Sequence, residues 1–474
     1  MPSTYTLVVK RDCPTCTMLV PVYAQLLDNN LQLAIYSQDE PSFPFPSAID
    51  DTELEQSFRL NIETVPTLIR YTKGDEKGRT VGWHRETWES LTGIHNLGVG
   101  LPAMKPGCGA RNVMPGIAER LQIRYGDSRM SAREIDVDPL SDPVEVAFER
   151  GWSDGLPVVP PTPERVWRML QGTSRKPDEV IGIIPPDLTE CTIEKVAINA
   201  VMAGCKPEYM PVVLAAVEAA CVEEFNTHGV LATTYFSSPI IIVNGPIASK
   251  IGMNSGGNAL GQGNRANATI GRALQLIIRN IGGGKPGGVD RATLGYPGKY
   301  TFCFAEREHD SPWQSLAQQR GFAQETSTVT LIAGGGVHGM MDQQSRTAEG
   351  LADSFARSLL SVAHHKIAFA ADALLVVSPE HARVFKEAGW SKQQLIDKIQ
   401  ALTIRKGSHI VRGADGNAEG MPAQFAAAAF SKFRPGGLNV VHAGGTAGMF
   451  SAIIGGWVNS GSRGSQPVTV EIKA

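Results

Sequence analysis

Cys13 and Cys16 lie in "RDCPTCTMLVPVYAQLL" (11–27), where two thiols three residues apart directly precede an amphipathic helical pattern. A cysteine at a helix N-terminus meets unpaired backbone N–H groups and the positive end of the helix dipole, and both favour thiolate over thiol. On that logic Cys13 is the attacking thiolate and Cys16, one turn along, the resolving thiol that displaces a mixed disulfide. A metal site here would want a second such pair or a nearby histidine cluster, and the first 80 residues hold neither. The remaining alternative is a pair with only a structural role.

Other residues with chemical potential lie further on. In "AINAVMAGCKPEYMPVVLAAVEAA" (197–220) one helical pattern ends at Gly204 and another begins near Pro207, placing Cys205 at a second helix start beside Lys206. Glu208, in the first turn, is a candidate base. The competing expectation is a helical hairpin in which Cys205 only fills space. In "KYTFCFAEREHDSPW" (299–313) a strand pattern puts Phe302, Phe304 and Glu306 on one face and Thr301, Cys303 and Ala305 on the other. Glu306, Glu308 and His309 at its end could bind a metal or shuttle protons, and a solvated charged turn is the alternative. Cys303 is a further candidate thiol.

The Gly/Asn loop "NSGGNALGQGNRANATIGRAL" (254–274) runs into a helix, so Asn264, Arg265 and Arg272 could frame an anion pocket. A loop merely capped by Asn264 or Asn267 explains the same residues. Gly334–Gly339 fits G-x-G-x-x-G, but neither the prompt helix nor the distal acid of a dinucleotide site follows it. His338 and His442, in two Gly-rich turns, are candidates to face a site. Cys108, between glycines in "KPGCGARN" with Lys105 and Arg111 near, is either an exposed thiolate able to relay electrons or an ordinary loop cysteine.

The elements that must position the first pair are regular. Residues 5–10, 31–37 and 64–72 read as strands, and 51–60 and 84–94 as helices, giving β-α-β-α-β-α. With Cys-Pro-x-Cys at the first strand-to-helix turn and Thr64-Val65-Pro66-Thr67 downstream, residues 3–95 resemble the thioredoxin superfamily, nearest its short glutaredoxin-like form. The resemblance implies a redox dithiol with Pro66 as a cis proline shaping the substrate groove. Thr15 stands where glutaredoxins often have an aromatic residue.

Residues 96–137 are rich in Gly, Pro, Met and Arg and read as a linker or docking segment. Residues 138–474 alternate strand and helix patterns, predicting a larger α/β domain with a buried sheet. "LIAGGGVHGMM" and "VVHAGGTAGMF" hint at two related lobes. Through "ERGWSDGLPVVPPT", "AGCKPEYMPVV" and "HAGGTAGMFSAIIGGW" this part resembles bacterial thiol- or selenocysteine-linked redox proteins of unknown substrate, which implies a redox theme and no particular reaction.

The bulk numbers exclude little else. With 474 residues two or three domains are expected, and a net charge of −3 without long charge runs argues against nucleic acid or an anionic membrane as partner. Seven cysteines are too few for a disulfide framework, so a cytoplasmic location is expected. The expectation is therefore an α/β thiol-dependent oxidoreductase. A thiol or dithiol donor would feed the small domain, which in turn serves a small, anionic substrate and Cys205 in the large one. No cofactor is required, a metal ion is an option, and homo-oligomerisation is left open. The alternatives are a metal-assisted lyase or hydrolase around Glu306, Glu308 and His309, and a non-enzymatic sulfur or metal carrier.

Overall fold

The structure is a computed structural model describing residues 3–369, 371–457 and 464–473. It is an α/β protein whose contacts divide it into two compact units, Met1–Ser128 and Arg129–Ala474.

The strands of the first unit are β1 (Thr4–Val9), β2 (Gln32–Ser37), β3 (Ile49–Asp50), β4 (Thr64–Val65), β5 (Thr67–Thr72), β6 (Asp75–Val81), β7 (Trp83–His84), β8 (Met104–Lys105) and β9 (Cys108–Gly109). The main sheet runs β3-β2-β1-β5-β6, with β1 parallel to β2 and antiparallel to β5. β1 carries the β-branched and aromatic residues that suit a central strand, and Leu7, Val8 and Val9 are fully buried. Helix Val20–Asp28 buries Val22, Tyr23 and Leu26 against the sheet, and Tyr23 stacks on Trp88, ring centroids 6.2 Å apart.

The stretch expected as a linker belongs largely to this unit. β9 pairs antiparallel with β4, and Asn112 donates to Ile62 O at 2.7 Å. Buried Gln38 donates to Asn112 Oδ1 at 3.0 Å and accepts from Arg111 N at 2.9 Å. Composition pointed to a connector because Gly and Pro dominate it. Those residues instead let the backbone lie close against β4.

In the second unit β10 (Val180–Ile184) and β11 (Thr189–Thr192) form a separate hairpin. Seven strands make the main sheet: β12 (Ser238–Asn244), β13 (Cys303–Ala305), β14 (Thr328–Met341), β15 (Ala371–Val377), then, after the short pair β16 (Arg405–Lys406) and β17 (Ala429–Phe430), β18 (Phe433–His442), β19 (Phe450–Gly456) and β20 (Val468–Glu471). Their order, β13-β12-β14-β19-β15-β18 with β20 on β14, is palindromic. β12 is parallel to β13 and antiparallel to β14, and β15 is likewise parallel to β18 and antiparallel to β19. The two halves meet where β14 pairs antiparallel with β19. The related lobes expected from sequence thus exist as halves of one sheet, in which β14 corresponds to β19 and not to the strand of "VVHAGGTAGMF".

β12 and β15 are buried at every position, as apolar runs covered on both faces must be. Side chains of one face, including Ile240, Ile242, Phe304, Leu374, Val376 and Val441, share a single inner core. The other faces carry helices: Ile193–Ala203, Met210–Cys221 and Arg265–Asn280 on the first half, Ala348–Leu359 and Lys392–Leu402 on the second. Because edge strands β13 and β18 both feed the inner core, the sheet is rolled. Its edges touch, with Arg307 N donating to His442 O at 2.7 Å. No helix among the described residues is long and apolar enough to cross a membrane.

A fragment of residues 1–128 is expected to unfold cooperatively. One ending at residue 95 loses the partners of Gln38 and β4 and at least ~3 kcal/mol, at roughly 1 kcal/mol per hydrogen bond. Urea denaturation of the two fragments tests this, and equal stability would show that residues 96–128 are dispensable.

Candidate functional site

Cys13 follows the end of β1 and caps helix Pro14–Met18 from an extended conformation, with Pro14 in the first turn. Its Sγ accepts the Cys16 backbone N–H at 3.4 Å and lies 3.6 Å from Val65 O, in β4 just before the cis Val65–Pro66 bond. Both thiols are buried, Cys13 at 1% and Cys16 at 0% exposure. The Cys16 side chain, the Cys108 thiol and the amides of Cys16 and Thr15 outweigh the cost of burial and hold the Cys13 thiol down at about 5. Burial pushes Cys16 far up, and the Cys13 charge adds to that. Two identical groups are thereby split into a thiolate and a persistent thiol, the division of labour a dithiol exchange centre needs.

Cys108, in β9 opposite Val65, joins this cluster from the segment expected to be a linker or docking segment. Thr15 Oγ1 donates to Pro106 O at 2.7 Å and Lys10 Nζ to Gly109 O at 3.0 Å, tying the segment down on either side of the thiol. Burial raises the Cys108 thiol. It is therefore not the exposed thiolate that its basic neighbours suggested.

A second constellation lies where the edges of the rolled sheet meet. Glu306, 4% exposed at the end of β13, accepts from Asn244 Nδ2 at 2.7 Å, Leu316 N at 2.7 Å and His442 N at 3.4 Å. Lys392 Nζ stands 3.7 Å from the same carboxylate and donates to Val440 O at 3.0 Å. Burial raises Glu306 and lowers Lys392, each against the pull of the other's charge. Glu308 accepts from Gly245 N at 2.7 Å and from Asn244 Nδ2 at 3.1 Å. His442 Nδ1 donates to Val377 O at 2.9 Å, since a carbonyl can only accept, which leaves Nε2 facing Asp310 at 3.6 Å. Burial lowers this imidazole, against the pull of the Val377 carbonyl and Asp310. Arg307 holds Asp310 at about 2 through a two-pronged contact.

This arrangement does not suit a metal. Glu306 already serves three donors and an ammonium, Glu308 is taken by Asn244 and a backbone amide, and His309 points outward with a 66% exposed side chain. Among the described residues no group of three or more His, Cys, Asp or Glu is placed to hold an ion. Within the expected donor set Glu306 is thus a structural clasp, and Glu308 is held through Oε1. The alternation expected over 301–306 is observed, with Phe302 and Phe304 in the inner core and Cys303 and Ala305 in the outer.

The remaining candidates are engaged elsewhere. Cys205 packs inside, where burial pushes its thiol up to about 12 despite Thr269 and Arg265. Cys205 therefore does not supply the thiolate expected of it, and the candidate thiol Cys303 is likewise pushed up by burial. Glu208 sits exposed on a 3-10 turn, Pro207–Tyr209. Asn264 caps helix Arg265–Asn280 by accepting from Asn267 N at 3.0 Å, and Arg265 Nε donates to Gly204 O at 2.9 Å. Arg272 grips Asp154 at 2.9 and 2.8 Å and also reaches Leu156 O and Pro157 O. Arg272 is therefore committed to the protein itself, whereas exposed Arg265 spends only its Nε on Gly204 O. An open cleft of about 420 Å³ remains there, lined by Met253, Asn254, Gly257, Gln262, Gly263 and Asn264. His338 is exposed within β14 opposite Ile453, so the expected Gly-rich turn is an unbroken strand.

Asn244 and Lys392 were not singled out as site residues from sequence. Asn244 ends the apolar run "PIIIVN", and a polar residue closing a buried strand was the available signal. Lys392 reads as one more surface lysine of a helix.

Comparison of the chain with models of known protein families and with curated proteins finds no match.

Glu306→Ala is expected to destabilise the larger unit by about 3–5 kcal/mol, because Lys392 is left buried without its counter-charge. Removing both charges, as Glu306→Leu with Lys392→Met, should recover much of that loss. Denaturation curves of the three proteins decide it, and a double variant no more stable than Glu306→Ala would refute the pairing.

Proposed function

We propose that the chain is a thiol–disulfide oxidoreductase whose redox centre is Cys13 and Cys16, with Pro66 bordering the approach to it. The observation that carries this is the split environment of the pair, a stabilised thiolate at Cys13 beside a buried thiol one helical turn on. Supporting it are the position of the pair between β1 and its helix, the cis proline next to the Val65 carbonyl, and the resemblance of residues 3–95 to the thioredoxin superfamily.

The larger unit is the substrate-handling part in this reading. The Asn- and Gly-lined cleft by residues 253–264 is where it would receive a small polar molecule, through its amide and carbonyl groups. A thiol or dithiol donor remains the required partner. Metal-assisted hydrolysis and metal carriage draw no support from Glu306, whose two oxygens serve three donors and Lys392, or from His309, which points away from it.

Oxidised glutathione added to the reduced full chain should close a Cys13–Cys16 disulfide, identified by peptide mapping, and Cys13→Ser should lose it. If no such disulfide forms, the assignment is wrong. Ionisation supplies a separate check. A thiol lowered to about 5 stays ionised at neutral pH and is protonated only as pH falls through that value. The ultraviolet thiolate absorbance that wild type shows beyond Cys13→Ser should vanish near pH 5, and a midpoint at the ordinary ~8.5 would contradict it.

A further inference from the structure

The two sulfurs of this centre are almost sealed from solvent, at 1% and 0% exposure, whereas the third thiol beside them, Cys108, is only half-buried. A dithiol that exchanges with outside partners needs a reachable sulfur, and the segment that seals it brings one. β9 lies antiparallel along β4, with Cys108 opposite Val65 and Gly109 opposite Thr64. Ala110 N extends the pairing to Glu63 O at 3.0 Å. Val65 is the residue whose carbonyl lies 3.6 Å from Cys13 Sγ. The approach is close enough to demand glycine, since a Cβ on Gly107 would stand 2.6 Å from that carbonyl and 2.5 Å from the Thr64 methyl. The chain thus lays its own cysteine-containing strand beside the dithiol.

We propose that Cys108 is the exchange thiol of the centre, forming a disulfide with Cys13 in alternation with Cys13–Cys16. This deepens, and rests on, the dithiol function proposed above. In the transfer step the Cys108 thiol gives up its proton as its sulfur attacks Cys13 Sγ of the Cys13–Cys16 disulfide. The Cys13–Cys108 bond forms as the bond to Cys16 breaks, and Cys16 leaves with the electron pair and takes up the proton that Cys108 released. No electrons are gained or lost overall, so the step needs no further reactant. The disulfide has then moved from two buried sulfurs to a pair with one accessible end. A small external thiol attacks Cys108 Sγ and expels Cys13, which is the better leaving group because it is the more acidic thiol. A second thiol then releases the first from Cys108 as a small disulfide, leaving the centre reduced.

The test uses the full chain, glutathione as the external thiol, and the variants Cys16→Ser, Cys108→Ser and Cys108→Ala. Oxidised glutathione should convert reduced Cys16→Ser to an internal Cys13–Cys108 disulfide with release of both glutathione moieties, as peptide mapping would read. Oxidised wild type should be reduced by glutathione on the order of tenfold faster than oxidised Cys108→Ser or Cys108→Ala, with thermal unfolding verifying that these variants are folded. Stable glutathione on Cys13 of Cys16→Ser with Cys108 free, or reduction of both Cys108 variants at the wild-type rate, would overturn the role of Cys108 and leave the dithiol intact. Failure of wild type itself to close Cys13–Cys16 would overturn both readings.

Discussion

The larger unit depends on one buried carboxylate. Glu306 ends an edge strand and collects Asn244 from β12, the amide of His442 from β18, the amide of Leu316 and the ammonium of Lys392. An ionised carboxylate taken out of water is costly unless its lone pairs are used, and the groups that use them come from both halves of the sheet. The inner core needs the edges to meet, because open edges would leave Phe304 and Val441 facing solvent. Lys392 occupies the first position of its helix, the wrong end for a cation next to the helix dipole. Glu306 and Val440 O explain why it is tolerated there.

The same physics sorts the thiols. Cys191 and Cys205 are pushed up to about 12 and Cys221 to about 11, chiefly by burial in hydrocarbon. Cys13 is just as thoroughly covered, yet amide and thiol dipoles lie around it and its value falls. Burial alone therefore predicts nothing about a cysteine; what matters is whether the covering atoms are polar and aimed at the sulfur.

Local patterns were readable in the sequence and long-range ones were not. The apolar runs of β12 and β15, and the helices Arg265–Asn280 and Lys392–Leu402 behind Asn264 and Ser391, follow from short stretches with their own caps. β19, "FSAIIGG", escaped because its glycines resemble a turn, and Gly334–Gly336 looked like a turn for the same reason. There, Gly334 serves close packing instead, since a Cβ would meet Ile240 at 2.5 Å. The dithiol was legible because spacing and flanking elements define it within a few residues. Cys205 misled because a helix start is a local feature, whereas the packing that encloses it comes from other elements. Arg272 looked free because its partner, Asp154, lies 118 residues away.

The palindromic sheet also bears on how the chain leaves the ribosome. β12, β13 and β14 all lie within residues 238–341 and can pair with one another before β19, residues 450–456, has been synthesised. Until then the far end of β14 is an open strand edge, the kind of surface that recruits neighbouring nascent chains. That end reads "GGGVHGMM", and glycine is a poor partner in a β-ladder. Gly334, which lets β14 pack closely in the finished fold, and the glycines after it thus make that open edge a weaker template than a valine-rich strand would be.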